Sequence, residues 1–119
     1  MSATYDAHFQ VGNVTVIRFP LRRLLNAAAI DARLREITAS PPMESPDTVL
    51  DFSQVEFISS AVLNKLIVLD RAIRSLGGRL VLCELSPRLR DLLSVTRLDH
   101  MLQIVDDQRA ALHEFGLTA

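Results

Sequence analysis

The chain has 119 residues, 49% hydrophobic and 23% charged, the length and apolar content of one globular domain spanning residues 1–119. Its formal net charge of −1 gives no electrostatic case for nucleic acid or an anionic membrane as the main partner. Cys83, the only cysteine, has no partner for an internal disulfide and lies in the apolar run "RLVLCEL", so a buried strand thiol in a reducing cytosol is expected.

The opening "MSATYDAHFQ" carries neither the basic start nor the apolar core of a signal peptide, and no apolar run reaches the roughly 18 residues of a membrane span. The chain is therefore expected in the cytoplasm, without membrane insertion. In "HFQVGNVTVIRF", Gly12-Asn13 separates two short segments rich in β-branched and aromatic residues, which predicts a hairpin of strands over Tyr5–Val11 and Val14–Phe19. Pro20, which lacks the amide hydrogen a ladder needs, closes the second strand.

Within "LNAAAIDARLREITA", Ala28, Ile30, Leu34 and Ile37 recur at helical spacing with Arg33, Arg35 and Glu36 between them, the pattern of an amphipathic helix. The proline-rich "SPPMESPD" reads as an exposed loop within one domain. A short buried strand, "TVLDF", follows. The segment "SSAVLNKLIVLDRAIRSLGG" then presents Leu63, Leu66, Ile67, Ala72 and Ile73 as a helical apolar face that ends at Gly77-Gly78. After the strand "RLVLCEL", Ser86 as N-cap and Pro87 at the first helical position open a third helix. "MLQIV" predicts a last short strand, and Asp106-Asp107 caps a final helix through about Phe115. The order β-β-α-β-α-β-α-β-α predicts an α/β domain whose sheet is mainly parallel, with an antiparallel N-terminal hairpin strand and about four helices.

Ser59-Ser60 stands where the pattern changes from strand to helix. A serine hydroxyl there can accept a hydrogen bond from a first-turn amide, which stabilises a helix by roughly 1 kcal/mol. The same hydroxyl lies at the positive end of a helix, where free backbone N–H groups can receive the charge of a phosphate. Both readings stay open on spacing alone.

Other clusters point to less. His8, His100 and His113 show no close pair at metal-ligand spacing, and Gly77-Gly78 lacks the lysine and hydroxyl residue of a phosphate-binding loop, so neither metal nor nucleotide cofactor is implied. Arg18, Arg22 and Arg23 gather near the end of the second strand. Arg71 and Arg74 fall on the polar face of the second helix, where they are solvated charges or part of a partner surface flanking Ser60. Asp51, at the end of its strand, is placed to support the following turn by hydrogen bonding. No nucleophile–base pair or metal constellation marks an enzyme.

The run Asp51-Phe52-Ser53-Gln54-Val55-Glu56-Phe57-Ile58, then Ser59-Ser60-Ala61-Val62, resembles the signature of STAS domains, in particular the anti-sigma factor antagonists. There an Asp-apolar-Ser-x-Val-x-aromatic-apolar strand and turn lead into Asp-Ser-Ser/Thr-Gly at a helix start. The element order, the "GG" turn before "RLVLCEL" and the "SPRLRDLL" after it extend the resemblance over the whole chain. It implies that Ser60 is the residue phosphorylated by a partner kinase, with Ser59 as the alternative acceptor. It also implies a partner surface around Ser59, Ser60, Asn64, Arg71 and Arg74. The implied partner is an anti-sigma factor that is also a serine kinase of the histidine-kinase-like ATPase type, with a phosphatase as a further partner. Ser59 departs from the usual Asp. Val62 departs from the usual Gly and is expected to put a β-branched side chain where a partner must approach. Two other readings of the resemblance are a cytoplasmic accessory module of a membrane transporter and a small-molecule or nucleotide sensor.

Overall fold

The computed structural model describes residues 7–39 and 45–117. The expected strand start at Tyr5 and most of the proline-rich loop, residues 40–44, lie outside the described residues. Strands β1 (Ala7–Val11) and β2 (Val14–Arg18) pair as an antiparallel hairpin, turning at Gly12 with a φ of +59°, a left-handed conformation that glycine adopts without steric cost. Then follow β3 (Arg23–Leu24), helix α1 (Ala28–Thr38), β4 (Thr48–Asp51) and β5 (Phe57–Ile58). Helix α2 (Ser60–Ser75), β6 (Leu80–Cys83), α3 (Pro87–Val95), a 3-10 turn (Leu98–His100), β7 (Gln103–Ile104) and α4 (Gln108–Glu114) complete the chain.

The main sheet has the order β1-β2-β4-β6-β7, with β2, β4, β6 and β7 mutually parallel and β1 antiparallel at one edge. This is the α/β class with a hairpin strand that the sequence predicts. All four residues of β4 and of β6 are buried, because parallel strands here are covered on both faces. Side chains alternate accordingly. Ile17, Leu50 and Leu82 pack with Ile30 of α1, Leu66 of α2 and Leu89 of α3, whereas Val16, Val49 and Val81 pack on the other face with Ala111 and Leu112 of α4.

Four features refine or correct the sequence reading. Helix α1 starts at Ala28, three residues into "LNAAAIDARLREITA", since Leu24 is held in β3 and the Asn26 side chain accepts the Ala28 amide hydrogen at 3.0 Å. Arg33, read as part of a polar face, is buried. Its guanidinium donates to Thr48 Oγ1 at 3.0 Å and to Glu36 at 3.1 Å, and it reaches the carbonyls of Ser45 and Asp47, clamping the entry to β4. The segment "MLQIV" contributes only the two residues of β7, and a 3-10 turn precedes it. Finally, β3 and β5 form a separate two-stranded parallel sheet beyond the carboxyl ends of β2 and β4.

Helix α2 ends as its glycines predict: Gly77 has φ +83°, and the Gly77 and Gly78 amides donate back to Arg74 and Ile73 at 3.0 and 2.9 Å. No helix among the described residues is long and apolar enough to cross a membrane.

Candidate functional site

The candidate site is built where β4 gives way to α2. Asp51 ends β4 with its carboxylate 2% exposed. One oxygen accepts the Ser53 amide hydrogen at 2.8 Å, which fixes the turn, and the other accepts from the Gln108 side-chain amide at 2.9 Å and from Arg18 Nε at 3.4 Å. A buried carboxylate is tolerable only when its lone pairs are so matched. Phe52 packs against Phe19 beneath the turn, with ring centroids 5.2 Å apart and the planes tilted by 45°.

The chain then runs along β3. Arg22 O accepts the Glu56 and Phe57 amides at 2.7 and 3.0 Å, and Leu24 O accepts the Ser59 amide at 3.0 Å. These bonds place the serine pair at the head of α2. Ser59 is the N-cap: its hydroxyl accepts from the Val62 amide at 3.3 Å and donates to Leu25 O at 2.9 Å. Ser60 is the first helical residue. Its hydroxyl is exposed and makes no hydrogen bond to any described residue, and the amides of Ser60 and Ala61 likewise have no acceptor among the described residues. The capping reading and the anion-receiving reading thus fall on different serines: the first on Ser59, the second on the open helix end at Ser60.

The two departures at this turn have simple structural accounts. Serine and aspartate are comparable N-caps, so Ser59 fills the structural role that an Asp there can fill. Val62 is 0% exposed, its side chain in the core rather than in the way of an approaching partner, which corrects the obstruction expected from the sequence.

Ser60, Asn64 and Arg71 all lie on the exposed side of α2, since at 100° per residue they fall within about 40° of one another around the axis. Val68, 47% exposed, continues that stripe. Arg71 stands about 16 Å along the axis from Ser60. Arg74 differs from Arg71: its Nε pairs with buried Asp70 at 3.1 Å and its Nη2 donates to Met101 O at 3.1 Å, so it ties α2 to the segment before β7. Burial pushes the Asp70 carboxyl above its ordinary pKa, an effect that the Arg74 charge only partly offsets. Asp51 bonds to neither serine. It acts below the turn.

Sequence reasoning missed the β3–β5 pair and its side chains. Arg22 pairs with Glu56 at 2.9 Å, and the hydrogen bond and charge of Arg22 hold the Glu56 carboxyl below the usual carboxylate range. The Arg23 guanidinium lies 5.3 Å from the centre of the Phe57 ring. The arginine cluster was visible in the sequence, but two-residue strands show no periodicity to reveal what faces it. Cys83 is buried as expected, and its thiol is pushed well above its ordinary pKa by burial and by the charges of Asp51, Glu84 and Asp107.

The sequence profile of the STAS domain family matches residues 13–111. BtrV of Bordetella bronchiseptica, a candidate anti-sigma factor antagonist, is 27% identical over 95 residues, 80% of this chain and 82% of its own length. The fold is similar to that of an anti-sigma factor antagonist (STAS) domain protein from Planctomyces limnophilus, with TM-score 0.79 and 24% identity over 94% of this chain and 98% of that one. It is also similar to the Bacillus cell-fate determinant SpoIIAA in its phosphorylated form, with TM-score 0.68 and 16% identity over 94% and 99% of the two chains. With the family match running from the start of β2 into α4, the chain belongs to the STAS domain family.

Proposed function

We propose that this STAS domain acts as an anti-sigma factor antagonist: unphosphorylated, it binds an anti-sigma factor through Ser60 and the outer face of α2, and phosphorylation of Ser60 ends that binding. The partner in this reading is a serine kinase of the histidine-kinase-like ATPase type, which transfers the γ-phosphoryl group of ATP to Ser60 Oγ while the hydroxyl proton leaves to a base on the kinase. A phosphatase restores the hydroxyl. The protein works in the cytoplasm by binding, with no reaction of its own. The observation that carries the reading is the exposed, unbonded Ser60 hydroxyl at the head of α2, with the capping task assigned to Ser59. Similarity to BtrV supports the choice of partner class.

A phosphoserine at Ser60 brings about −1.5 to −2 charges to the head of the contact face. Against an apolar or acidic partner surface this costs desolvation and repulsion, and the complex separates. The test measures binding to the anti-sigma factor for wild type, Ser60→Ala and a chain carrying phosphoserine at position 60. Ser60→Ala should bind as wild type does, and the phosphoserine form should bind at least about tenfold more weakly. Equal binding by all three forms would remove the switch and favour the transporter accessory reading.

A further inference from the structure

Three arginines meet on one side of the β3–β5 pair with a single carboxylate between them. Arg22, Arg23, Glu56, Phe57 and Arg88 line a cleft of about 460 Å3. Topology puts it at the carboxyl end of the main sheet, because its walls follow β2, β4 and β6. Arg22 is engaged by Glu56, but neither Arg23 nor Arg88 has a carboxylate within ion-pairing distance among the described residues. The lining therefore sums to +2 on a chain whose net charge is −1.

The fold only partly offsets this charge: Glu56 pairs with Arg22 and also feels the charge of Arg88. Arg88 is the second residue of α3, where a cation opposes the helix dipole, and the first turn of α3 has no acid to offset it. Arg23 rests on Phe57, a residue 44% exposed despite its position in a strand. Converging cations are relieved by an anion. Arg23 and Arg88, neither of them ion-paired among the described residues, carry the charge and the forked N–H donors that suit a phosphate dianion, and the exposed part of Phe57 offers an apolar surface beside them.

We propose that this cleft is a binding site for an organic phosphate monoester, its dianionic head held by Arg23 and Arg88 and its apolar part resting against Phe57. Glu56 competes with the ligand by occupying Arg22. The site is separate from the Ser60 hydroxyl, although the strand that carries Phe57 leads directly to Ser59, so a bound ligand borders the proposed partner face.

The test is an NMR titration of the full chain at pH 7.5 and low salt, with phenyl phosphate, inorganic phosphate and hexaglutamate as probes. Phenyl phosphate should give saturable shifts at the amides of Arg22, Arg23, Phe57 and Arg88, and should bind more tightly than inorganic phosphate. Arg23→Gln and Arg88→Gln should each weaken it by about tenfold with the rest of the spectrum unchanged. Glu56→Gln, which frees Arg22, should tighten it. Binding should weaken from pH 7.5 to pH 5 as the phosphate gains a proton near pH 6. The proposal is overturned if no saturation occurs by on the order of 20 mM, if the arginine variants bind as wild type does, or if Glu56→Gln weakens binding. Tighter binding of hexaglutamate than of phenyl phosphate would also overturn it, marking a surface for acidic peptides instead. None of these readings depends on a kinase or on phosphorylation of Ser60.

Discussion

Gln108 and Asp51, 57 residues apart, meet through a 2.9 Å hydrogen bond from the side-chain amide to the buried carboxylate, which fastens the start of α4 to the strand that leads into the serine turn. The same carboxylate holds the Ser53 amide, so one residue joins the back of the sheet to the candidate site. Replacing Asp51 by Ala leaves three donors without their acceptor, and a loss of about 2–4 kcal/mol in urea unfolding is expected. Gln108→Ala removes one bond at a part-buried site and should cost about 1 kcal/mol.

The division of labour between the serines has its own signature in stability. Ser59→Ala loses the cap on Val62 and the bond to Leu25, and should lower stability by about 1–2 kcal/mol. Ser60→Ala removes an exposed, unbonded hydroxyl and should stay within about 0.5 kcal/mol of wild type. Thermal unfolding of both variants checks this. The opposite order would assign the cap to Ser60.

Much of this arrangement could be read before the fold was seen. The succession of strands and helices along the chain, and with it the α/β class, follows from their periods, and the start and end of α2 and the start of α3 follow from Ser59, Gly77 and Ser86, whose local chemistry fixes their place. Long-range contacts were not legible: Gln108 meeting Asp51, Arg33 turning inward onto Thr48, and Arg74 reaching Met101 all depend on tertiary packing that leaves no period in the chain. The β3–β5 pair escaped for the same reason. The serine pair could be located because strand end, cap and helix start are neighbours in sequence, whereas the choice of Ser60 over Ser59 came from the resemblance to STAS domains.

Arg71 and Arg74, equivalent in the sequence, should behave differently. Arg71→Glu should weaken partner binding with little change in unfolding, since no ion pair holds Arg71 among the described residues and exposed charges contribute little. Arg74→Glu faces Asp70 with a second negative charge and loses the Met101 bond, so it should lower stability as well. Paired measurements of affinity and melting temperature distinguish the two.

Asp70 gives a pH test. Its pKa is raised in the folded protein, mainly by burial, so the folded state holds this proton more tightly than the unfolded chain does. The resulting stabilisation is present below the unfolded value of about 3.9 and is lost as pH rises through the folded value. Asp70→Asn removes that dependence. Relative to wild type, the variant should therefore gain stability between pH 3 and pH 7, measured as the difference in melting temperature at each pH. A variant that loses ground over that range would show that the Arg74 pair outweighs burial.

The central claim is that Ser60 is the regulated residue, and mapping the phosphate tests it most directly. Wild type, Ser59→Ala and Ser60→Ala are incubated with ATP and the anti-sigma kinase recovered from native cells, its activity confirmed on a second substrate, and the modified residue is located by mass spectrometry. The account predicts one phosphate on Ser60 in wild type and in Ser59→Ala, and none in Ser60→Ala. Phosphate on Ser59, or on neither serine with the kinase active, would contradict it.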